Sequence, residues 1–319
     1  MHMKYLCETS AVNEGNNSSL RSHDVTLINS TVTSSSNSPS TVLSRIGAID
    51  RVVRGLTVLF DQVFVVCQHA AAVEVYDTAT LTLQRHLAVD GLCRPIDMTS
   101  SLKYGCLYIA DLGYTGGKRP VVHRVNLTRA TTDWPLSDRP AGLSVTPDGY
   151  NVIVVFRGLS KLKEYTTHGD LVREILLRED VINPRHAVQL TSGQFVVSQG
   201  RRSDSVHRVC LAEFNGRVAK CFDGQPGSGA GQITRPIHIA TDHDGSVLVA
   251  DIKGDRVLLL TASLDYVGEL VPRRDVSKRC RPVRLCLDQR FRVLYVAENE
   301  RNGQTEVAGQ LVAYKVKTV

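Results

Sequence analysis

Three patterns in the sequence contain residue types that can do chemistry. The run Gly227-Ser-Gly-Ala-Gly231 resembles a phosphate-binding loop, in which backbone N–H groups surround an anion. Asp97, His186 and His238 belong to the residue types that bind zinc. The run from 273 to 281 contains five basic residues and one acid, which favours the binding of phosphates. Which of these patterns forms a site depends on the elements that position them.

A repeat organises most of the chain. Each copy begins at an anchor residue and continues as a short apolar strand, a polar turn and a second apolar strand that ends in a polar residue. The anchors, spaced 42, 45, 44, 52 and 46 residues apart, are Val53, Pro95, Pro140, Pro184, Pro236 and Pro282. A period in this range, carried by short β-rich runs, is typical of propeller blades, so six copies predict six blades.

The fifth copy shows the four strands of a blade most clearly. Its predicted strands are Ile237–Ala240, Val247–Ala250, Arg256–Leu260 and Val267–Val271. The Asp-Gly dipeptide at 244–245 supplies a tight turn between the first two. No segment of the chain has a sustained helical periodicity. The sequence therefore predicts an all-β fold, a six-bladed β-propeller of four-stranded antiparallel blades.

The last copy predicts how the ring of blades closes. Only 37 residues follow Pro282, too few for four strands. We expect Thr41–Ala48 to supply the outer strand of the last blade, which removes free sheet edges. Residues 1–40 are rich in Ser, Thr and Asn and are expected to form a disordered tail, so the predicted propeller covers residues 41–319.

The glycine-rich run is consequently not predicted to bind a nucleotide. A phosphate loop needs a helix N-terminus behind it. Here Gln232–Pro236 and another strand follow, so the glycines are expected to connect blades four and five.

The fifth copy also carries a family resemblance. Gly-x-Gly-Gln-x-x-x-Pro at 229–236, Asp-x-x-Gly-x-x-x-Val-Ala-Asp at 242–251 and Asp-Arg-Val at 255–257 resemble the NHL repeat. The resemblance covers about residues 46–319 and implies a six-bladed β-propeller. The chain is similar to the NHL domains of tripartite-motif ubiquitin ligases, which recruit protein substrates or bind single-stranded RNA. The zinc-binding cysteine spacings of those ligases are absent, so the resemblance implies a recognition module.

The residues two positions after the anchors are expected to line the axial channel as a ring. They are Gly55, Asp97, Gly142, His186, His238 and Arg284. More distantly, the chain resembles peptidyl-amidoglycolate lyases, metal-dependent propellers whose metal histidines tend to follow the proline directly. Here the histidines lie one residue later, and a one-residue shift in a strand reverses the facing direction. We predict no metal, no cofactor and no catalytic residue, and keep a metal-dependent enzyme of the amidating-lyase or lactonase type as the alternative.

Basic residues concentrate on one predicted face, which we call the basic face. It consists of the loops between second and third strands and the loops that enter each blade. The predicted binding residues are Arg119, Arg157, Arg185, Arg201, Arg202, Arg256, Arg273, Arg274, Lys278, Arg279 and Arg281. We expect non-enzymatic binding of a protein partner or single-stranded RNA, with Tyr114 and Trp134 as the nearest aromatic groups for base stacking. The alternative is a solvated surface of mixed charge.

The second strand of each copy ends in a polar residue, and we call these six residues the polar column. These side chains are expected to bond exposed loop amides, because buried backbone donors need partners. They are Gln68, Asp111, Arg157, Gln199, Asp251 and Glu298.

Composition narrows the class of protein. The 319 residues are 42% hydrophobic and 22% charged, with a net charge of +6. Such values are ordinary for a soluble domain with a sizeable core. No long apolar run predicts a membrane span, and residues 1–10 lack the apolar core of a signal peptide. We therefore expect a cytoplasmic monomer without membrane association or a DNA-readout motif.

The eight cysteines include no Cys-x-x-Cys pair, which argues against a zinc finger. Asn215-Gly216 predicts a hairpin turn that places Cys210 opposite Cys221, within reach of a disulfide. In a reducing compartment we expect these two cysteines to be buried thiols.

Overall fold

The chain folds into six sheets. The computed structural model describes residues 40–113, 119–127, 131–156, 158–178, 181–200, 206–223, 229, 231–272, 280–302 and 305–317. Within these ranges, 24 strands form six four-stranded antiparallel sheets. The predicted all-β propeller of six four-stranded blades is confirmed.

In blades one to five the strands follow the chain in order, from the channel outward. Blade one contains β2 (Val53–Leu59), β3 (Gln62–Cys67), β4 (Ala72–Asp77) and β5 (Leu83–Ala88). Blade two contains β6 (Pro95–Ser101), β7 (Cys106–Asp111), β8 (Val121–Asn126) and β9 (Thr132–Pro135). Blade three contains β10 (Pro140–Val145), β11 (Asn151–Phe156), β12 (Lys161–Thr166) and β13 (Leu171–Leu176).

The remaining blades repeat this arrangement. Blade four contains β14 (Pro184–Gln189), β15 (Phe195–Gln199), β16 (Arg208–Ala212) and β17 (Val218–Phe222). Blade five contains β18 (Pro236–Thr241), β19 (Val247–Asp251), β20 (Arg256–Leu260) and β21 (Tyr266–Val271). Blade six contains β22 (Cys280–Asp288), β23 (Val293–Asn302), β24 (Thr305–Val316) and β1 (Ser40–Ile49).

The core lies between neighbouring blades. Apolar side chains of adjacent sheets pack face to face, as where Phe64 and Val66 of blade one meet Met98 and Ile109 of blade two. The second strands are buried along their whole length in β7, β15 and β19, whereas the outer strand β5 is largely exposed. The continuous apolar runs of the middle strands follow from this packing, because a sheet covered on both sides needs apolar residues on both faces.

The ring closes through β1. This strand pairs antiparallel with β24, with Thr41 opposite Lys315 and Arg45 opposite Val312. The prediction that an N-terminal strand completes the last blade is confirmed, and the strand extends one residue beyond the expected range at each end. The predicted tail falls on residues outside the described ones, apart from Ser40, which belongs to β1.

Every inner strand contains the same irregularity. The residue directly after the anchor lies in a register shift, so that Pro95 pairs with Asp111, Asp97 pairs with Ala110 and the residue between them has no partner. The same shift occurs after Val53, Pro140, Pro184, Pro236 and Pro282. A bulge of this kind places two residues opposite one and re-aims the side chains that follow.

The cysteine pair on β16 and β17 differs from the expectation. Cys210 lies opposite Cys221 in the predicted register, with the Cα atoms 4.1 Å apart. The structure joins the two sulfur atoms as a disulfide, so the expectation of two separate thiols is wrong. In the described part of the chain no helix is long and apolar enough to cross a membrane.

We expect β1 to contribute strongly to stability. A chain that begins at Asp50 lacks this strand, while a chain that begins at Ser40 retains it. Loss of the ladder hydrogen bonds, at about 0.5–1.5 kcal/mol each, is expected to lower the free energy of unfolding by roughly 3 kcal/mol or more. Urea unfolding of the two chains measures the difference. Equal unfolding curves would contradict the structural role of β1.

Candidate functional site

Four polar side chains from four inner strands meet in the channel. Asp97 of β6, His186 of β14 and His238 of β18 are buried, and Arg284 of β22 is nearly so. Asp97, His186 and His238 each offer one atom that could bind a metal ion. These three atoms lie within 4.8 Å of one another. The bulges place these residues, each two positions after an anchor, at the same level of the channel. We call these four residues the channel layer.

Asp97 is the centre of the channel layer. Its Oδ1 accepts hydrogen bonds from the backbone N–H of Met98 and the Nε of Arg284, both at 3.0 Å. Its Oδ2 accepts one from the backbone N–H of Leu143 in the next blade, at 2.9 Å. Burial by itself raises the pKa of Asp97, but the charge of Arg284 and the imidazole of His238 hold it below its ordinary value. Asp97 is therefore a carboxylate.

The two histidines stack on each other, with ring centroids 3.9 Å apart. Nε2 of His186 lies 2.9 Å from the carbonyl oxygen of Leu143, so this nitrogen carries a hydrogen and donates it. Nδ1 of His238 accepts the backbone N–H of Leu285 at 3.3 Å, so its hydrogen lies on Nε2. Burial lowers the pKa of both rings, that of His186 to about 3. Both imidazoles are therefore neutral at pH 7.

The glycines of the ring make room for their neighbours. A Cβ at Gly142 would lie 2.7 Å from the carbonyl oxygen of Arg185 and 3.0 Å from the His186 ring. A Cβ at Gly55 would lie 2.6 Å from the Cβ of Met98. Contacts this short exclude larger residues, so the two glycines allow the inner strand of the next blade to approach closely.

Hydrogen bonds occupy most of the ligand atoms that the channel layer could offer to a metal ion. Asp97 already accepts three hydrogen bonds, and Arg284 places a fixed positive charge beside it. The Nε2 atoms of both histidines lie 3.7 Å from Asp97 and carry hydrogens, so these two atoms present no lone pair to a metal ion, whereas Nδ1 of His186 does. The arrangement is instead a hydrogen-bonded network that links blades two, three, four, five and six.

The channel layer separates two cavities. The basic-face cavity has a volume of about 190 Å³ and lies where the inner strands begin. The turn-face cavity has a volume of about 590 Å³ and lies where the inner strands end, towards the turns between first and second strands. Arg284 lines the first cavity, while His186 and His238 line the second.

Arginines from four blades line the basic-face cavity: Arg54, Arg94, Arg185 and Arg284. Gln68 accepts a hydrogen bond from Nε of Arg54 at 3.1 Å, and Glu306 pairs with the same guanidinium at 3.2 Å. Sequence reasoning included Arg185 but did not assign Arg54 to a site. Arg54 and Arg185 directly follow their anchors, and the bulges let these positions reach the channel together with the residues that follow them.

The structure describes four of the eleven predicted basic residues, namely Arg119, Arg185, Arg256 and Arg281. Arg119 is exposed in the loop before β8, and Arg281 at the start of β22 pairs with Asp255 at 3.0 Å. Seven of the predicted residues lie outside the described ones: Arg157, Arg201, Arg202, Arg273, Arg274, Lys278 and Arg279. The densest predicted patch at 273–281 thus remains a prediction.

Arg256 requires a correction. It was predicted to lie on the basic face, but it is 0% exposed. Its guanidinium pairs with Asp251 and Glu269 and donates to the carbonyl oxygens of Gly229 at 3.0 Å and Gln232 at 2.7 Å. A buried guanidinium needs such partners. Arg256 therefore fixes the loop that enters blade five and cannot contact a partner.

Trp134 also differs from the expectation. This side chain, predicted to be near the basic face, is 6% exposed and packs edge-on against Tyr108. A Cβ at Gly169 of the next blade would lie 2.4 Å from its ring. Trp134 is therefore a core residue and offers no surface for stacking a base, while Tyr114 lies outside the described residues.

The polar column at the ends of the second strands does bond loop amides. Asp111 accepts the backbone N–H groups of Cys93 at 2.7 Å and Arg94 at 3.1 Å. Asp251 accepts those of Thr234 at 3.1 Å and Arg235 at 2.6 Å. In both blades the carboxylate holds the two residues before the anchor, which confirms the predicted role for these two positions.

The fold is shared with solved enzymes of low sequence similarity. A streptogramin B lyase has a TM-score of 0.57 at 14% identity, with 88% of this chain and 87% of that chain covered. An inactive virginiamycin B lyase from Staphylococcus aureus with quinupristin gives 0.56 at 12%, covering 87% and 98%. Hydrazine synthase from Kuenenia stuttgartiensis gives 0.54 at 15%, covering 82% and 96%. At these identities the likeness shows the propeller fold alone.

No family model and no curated protein sequence matches the chain. The resemblance to the NHL repeat, with the recognition role that it implies, therefore stays a prediction.

We expect the buried and the surface arginines to differ in their contribution to stability. Arg256→Met leaves Asp251 and Glu269 without their cation and is expected to cost about 3–5 kcal/mol of unfolding free energy. Arg281→Met is the matched control, because its pair with Asp255 is partly exposed, and it should cost less than about 1 kcal/mol. Urea unfolding compares both variants with the wild type. Equal losses would contradict the assigned difference in burial.

The low pKa of His186 predicts acid-dependent stability. Since the folded chain binds a proton there only near pH 3 and the unfolded chain near pH 6.5, acidification below 6.5 favours unfolding. His186→Gln removes this contribution and retains a donor for Leu143. The difference in unfolding free energy between wild type and variant should shrink by roughly 2 kcal/mol from pH 7 to pH 5. A difference that does not change with pH would mean that His186 titrates normally.

Proposed function

We propose that this propeller is a non-enzymatic recognition module that binds an acidic segment of a protein partner on its basic face. The arrangement that carries the proposal is the basic-face cavity, lined by Arg54, Arg94, Arg185 and Arg284 from four blades. None of the described lining residues of this cavity is an Asp or a Glu. A concave surface with several guanidinium groups favours carboxylates, which arginine binds through paired N–H donors.

Contacts within the protein hold two of these arginines in place. A guanidinium has five N–H donors. Arg54 uses its donors on Gln68 and Glu306, and Arg284 uses its donors on Asp97 and two backbone carbonyls. These contacts hold both groups in place at the edge of the cavity. Groups that are held in advance lose less side-chain entropy when a partner binds.

The position of the aromatic side chains favours a protein over single-stranded RNA. Readers of single strands stack bases on exposed aromatic rings. Among the described residues, the exposed aromatic side chains are Phe60, Tyr150, Phe214 and Phe291. All four lie in turns between first and second or third and fourth strands, on the face opposite the basic face. Trp134 is buried, so the described part of the basic face gains no stacking platform from it.

The alternative of a metal-dependent enzyme receives no support from the channel layer. Asp97 accepts three hydrogen bonds, His186 donates its Nε2–H to Leu143, and Nδ1 of His238 accepts the N–H of Leu285. The lyases that share the fold do so at 12–14% identity, which carries no argument about activity.

Fluorescence anisotropy tests the proposal. The labelled probes are a peptide of about twelve alternating Glu and Asp residues and a degenerate single-stranded RNA pool, each titrated at about 50 and 300 mM salt. We expect the peptide to bind, with affinity that falls as salt rises. The double variant Arg94→Glu, Arg185→Glu should weaken peptide binding at least about tenfold, because it reverses two charges at the cavity.

The control reverses a charge on the other face. Arg217→Glu lies in the turn between β16 and β17, is exposed, and should leave peptide binding unchanged. A further variant changes the predicted patch to glutamate at Arg273, Arg274, Lys278 and Arg279. Absence of peptide binding, or equal loss in the control, would overturn the proposal. Binding of RNA alone, lost in the double variant, would move the function to RNA recognition on the same face.

A further inference from the structure

The basic-face cavity is small enough to select what a partner places in it. Its volume of about 190 Å³ is below the range of about 300–1,000 Å³ that small-molecule sites occupy. Beside its arginines, the described lining contains the apolar residues Pro95, Ile96, Leu112 and Ala141. A partner therefore fits one short side chain into the cavity, while the rest of its segment lies on the surrounding face.

Positive charge exceeds negative charge around the described part of this cavity. Arg54 and Arg284 each have a carboxylate beside them, at 3.2 and 3.0 Å. Arg94 and Arg185 bring two further positive charges to the lining. A carboxylate side chain carries one negative charge, whereas a phosphorylated serine or threonine carries about −1.5 to −2 at pH 7. The charge of the cavity therefore matches a phosphate group better than a single carboxylate.

Arg94 presents a fixed cation to this cavity. Both carboxylate oxygens of Asp111 accept its backbone N–H, at 3.1 and 3.2 Å, and its carbonyl oxygen accepts the N–H of Leu112 at 3.1 Å. Its guanidinium is half-buried and makes no hydrogen bond or ion pair within the described part of the chain. A bound anion would supply the acceptors that this group lacks there.

The arginines of the cavity come from different sides of the channel. Arg54 belongs to blade one, Arg185 to blade four and Arg284 to blade six, while Arg94 directly precedes the inner strand of blade two. A carboxylate offers two oxygens in one plane, which suits one guanidinium that binds through paired N–H groups. A phosphate monoester offers three strong acceptor oxygens. Donors that approach from several blades are therefore better used by a phosphate.

We propose that the basic-face cavity binds the phosphate group of a phosphorylated serine or threonine in the protein partner. This inference rests on the proposed function and deepens it, because the phosphorylated residue belongs to the acidic segment that the basic face binds. Arg94 and Arg185 contact the phosphate, and Arg54 and Arg284 flank it. Phosphorylation of the partner then strengthens the complex, and removal of the phosphate weakens it.

Three labelled peptides that differ only at the centre test the proposal by fluorescence anisotropy. Each is the acidic peptide of the proposed function, with serine, phosphoserine or two adjacent glutamates at its centre. The paired glutamates match the charge of the phosphoserine without its three oxygens. We expect the phosphoserine peptide to bind at least about tenfold more tightly than either of the others.

The three peptides separate this inference from the proposed function. Equal affinity of the phosphoserine and paired-glutamate peptides would overturn the inference and leave the acidic partner of the basic face in place. Absence of binding by all three peptides would overturn both.

Matched substitutions of two arginines locate the phosphate. Arg94 and Arg139 both stand directly before an anchor, in neighbouring blades, but Arg139 is exposed and is not among the described lining of the cavity. Arg94→Gln and Arg139→Gln therefore each remove one positive charge from the same face. The first should reduce the preference for phosphoserine over paired glutamates to less than about threefold, and the second should retain it. Equal losses would mean that charge alone attracts the peptide, which would overturn the inference.

Two competitors distinguish a phosphorylated protein from other sources of the same phosphate chemistry. They are inorganic phosphate and vesicles of phosphatidylcholine with phosphatidic acid. Both lack the acidic segment, so each should bind at least about tenfold more weakly than the phosphoserine peptide. Equal or tighter binding of either would assign the cavity to a free anion or a lipid and would overturn the inference.

A crystal structure of the wild-type chain with the phosphoserine peptide keeps the test valid if Arg94→Gln does not fold. The phosphate should lie in the basic-face cavity, within hydrogen-bond distance of Arg94 and Arg185. A phosphate bound at the run from 273 to 281 instead, or a peptide whose phosphate points into solvent, would overturn the inference.

Discussion

The carboxylate of Asp97 is the interaction on which the centre of the propeller depends. It is buried, and it accepts the backbone N–H groups of Met98 and Leu143 and the guanidinium of Arg284. These contacts connect blades two, three and six directly. A buried charge is tolerated only when an opposite charge lies beside it and its lone pairs accept hydrogen bonds. Removal of Arg284 or Asp97 would leave the remaining charge buried and unpaired, which is strongly destabilising. The network therefore holds the inner strands in one relative arrangement.

The same requirement explains why polar residues line an otherwise apolar fold. An inner strand has one edge towards the channel, where no further strand can satisfy its backbone groups. His186 donates to the carbonyl of Leu143, and His238 accepts the N–H of Leu285. Each thereby satisfies one backbone group of another blade. At the outside of the ring, β1 performs the corresponding task for β24. The need for hydrogen-bond partners at the sheet edges thus accounts for both the central histidines and the terminal strand.

Much of the fold could be predicted because the repeat makes each blade a copy of the others. The anchors, the four strands of a blade and the closing strand follow from apolar periodicity and spacing. The side-chain directions near the channel could not, because that reasoning assumed regular alternation along the strand. The bulge after each anchor lets neighbours such as Arg185 and His186 both line the channel, one for each cavity. The burial of Arg256 was equally hidden, because its partners come from the outer strand of the blade, at Glu269, and from the loop that enters it, at Gln232.

The channel layer also divides the channel into two cavities with different linings. On one side lie Arg54, Arg94 and Arg185, with Arg284 at the boundary. On the other, the neutral rings of His186 and His238 line a cavity of mixed polar and aliphatic residues. Arg284 is neutralised by Asp97, and burial keeps the histidines uncharged, so the layer itself adds little net charge to either side. The same hydrogen bonds that hold the blades together therefore also separate the two cavities.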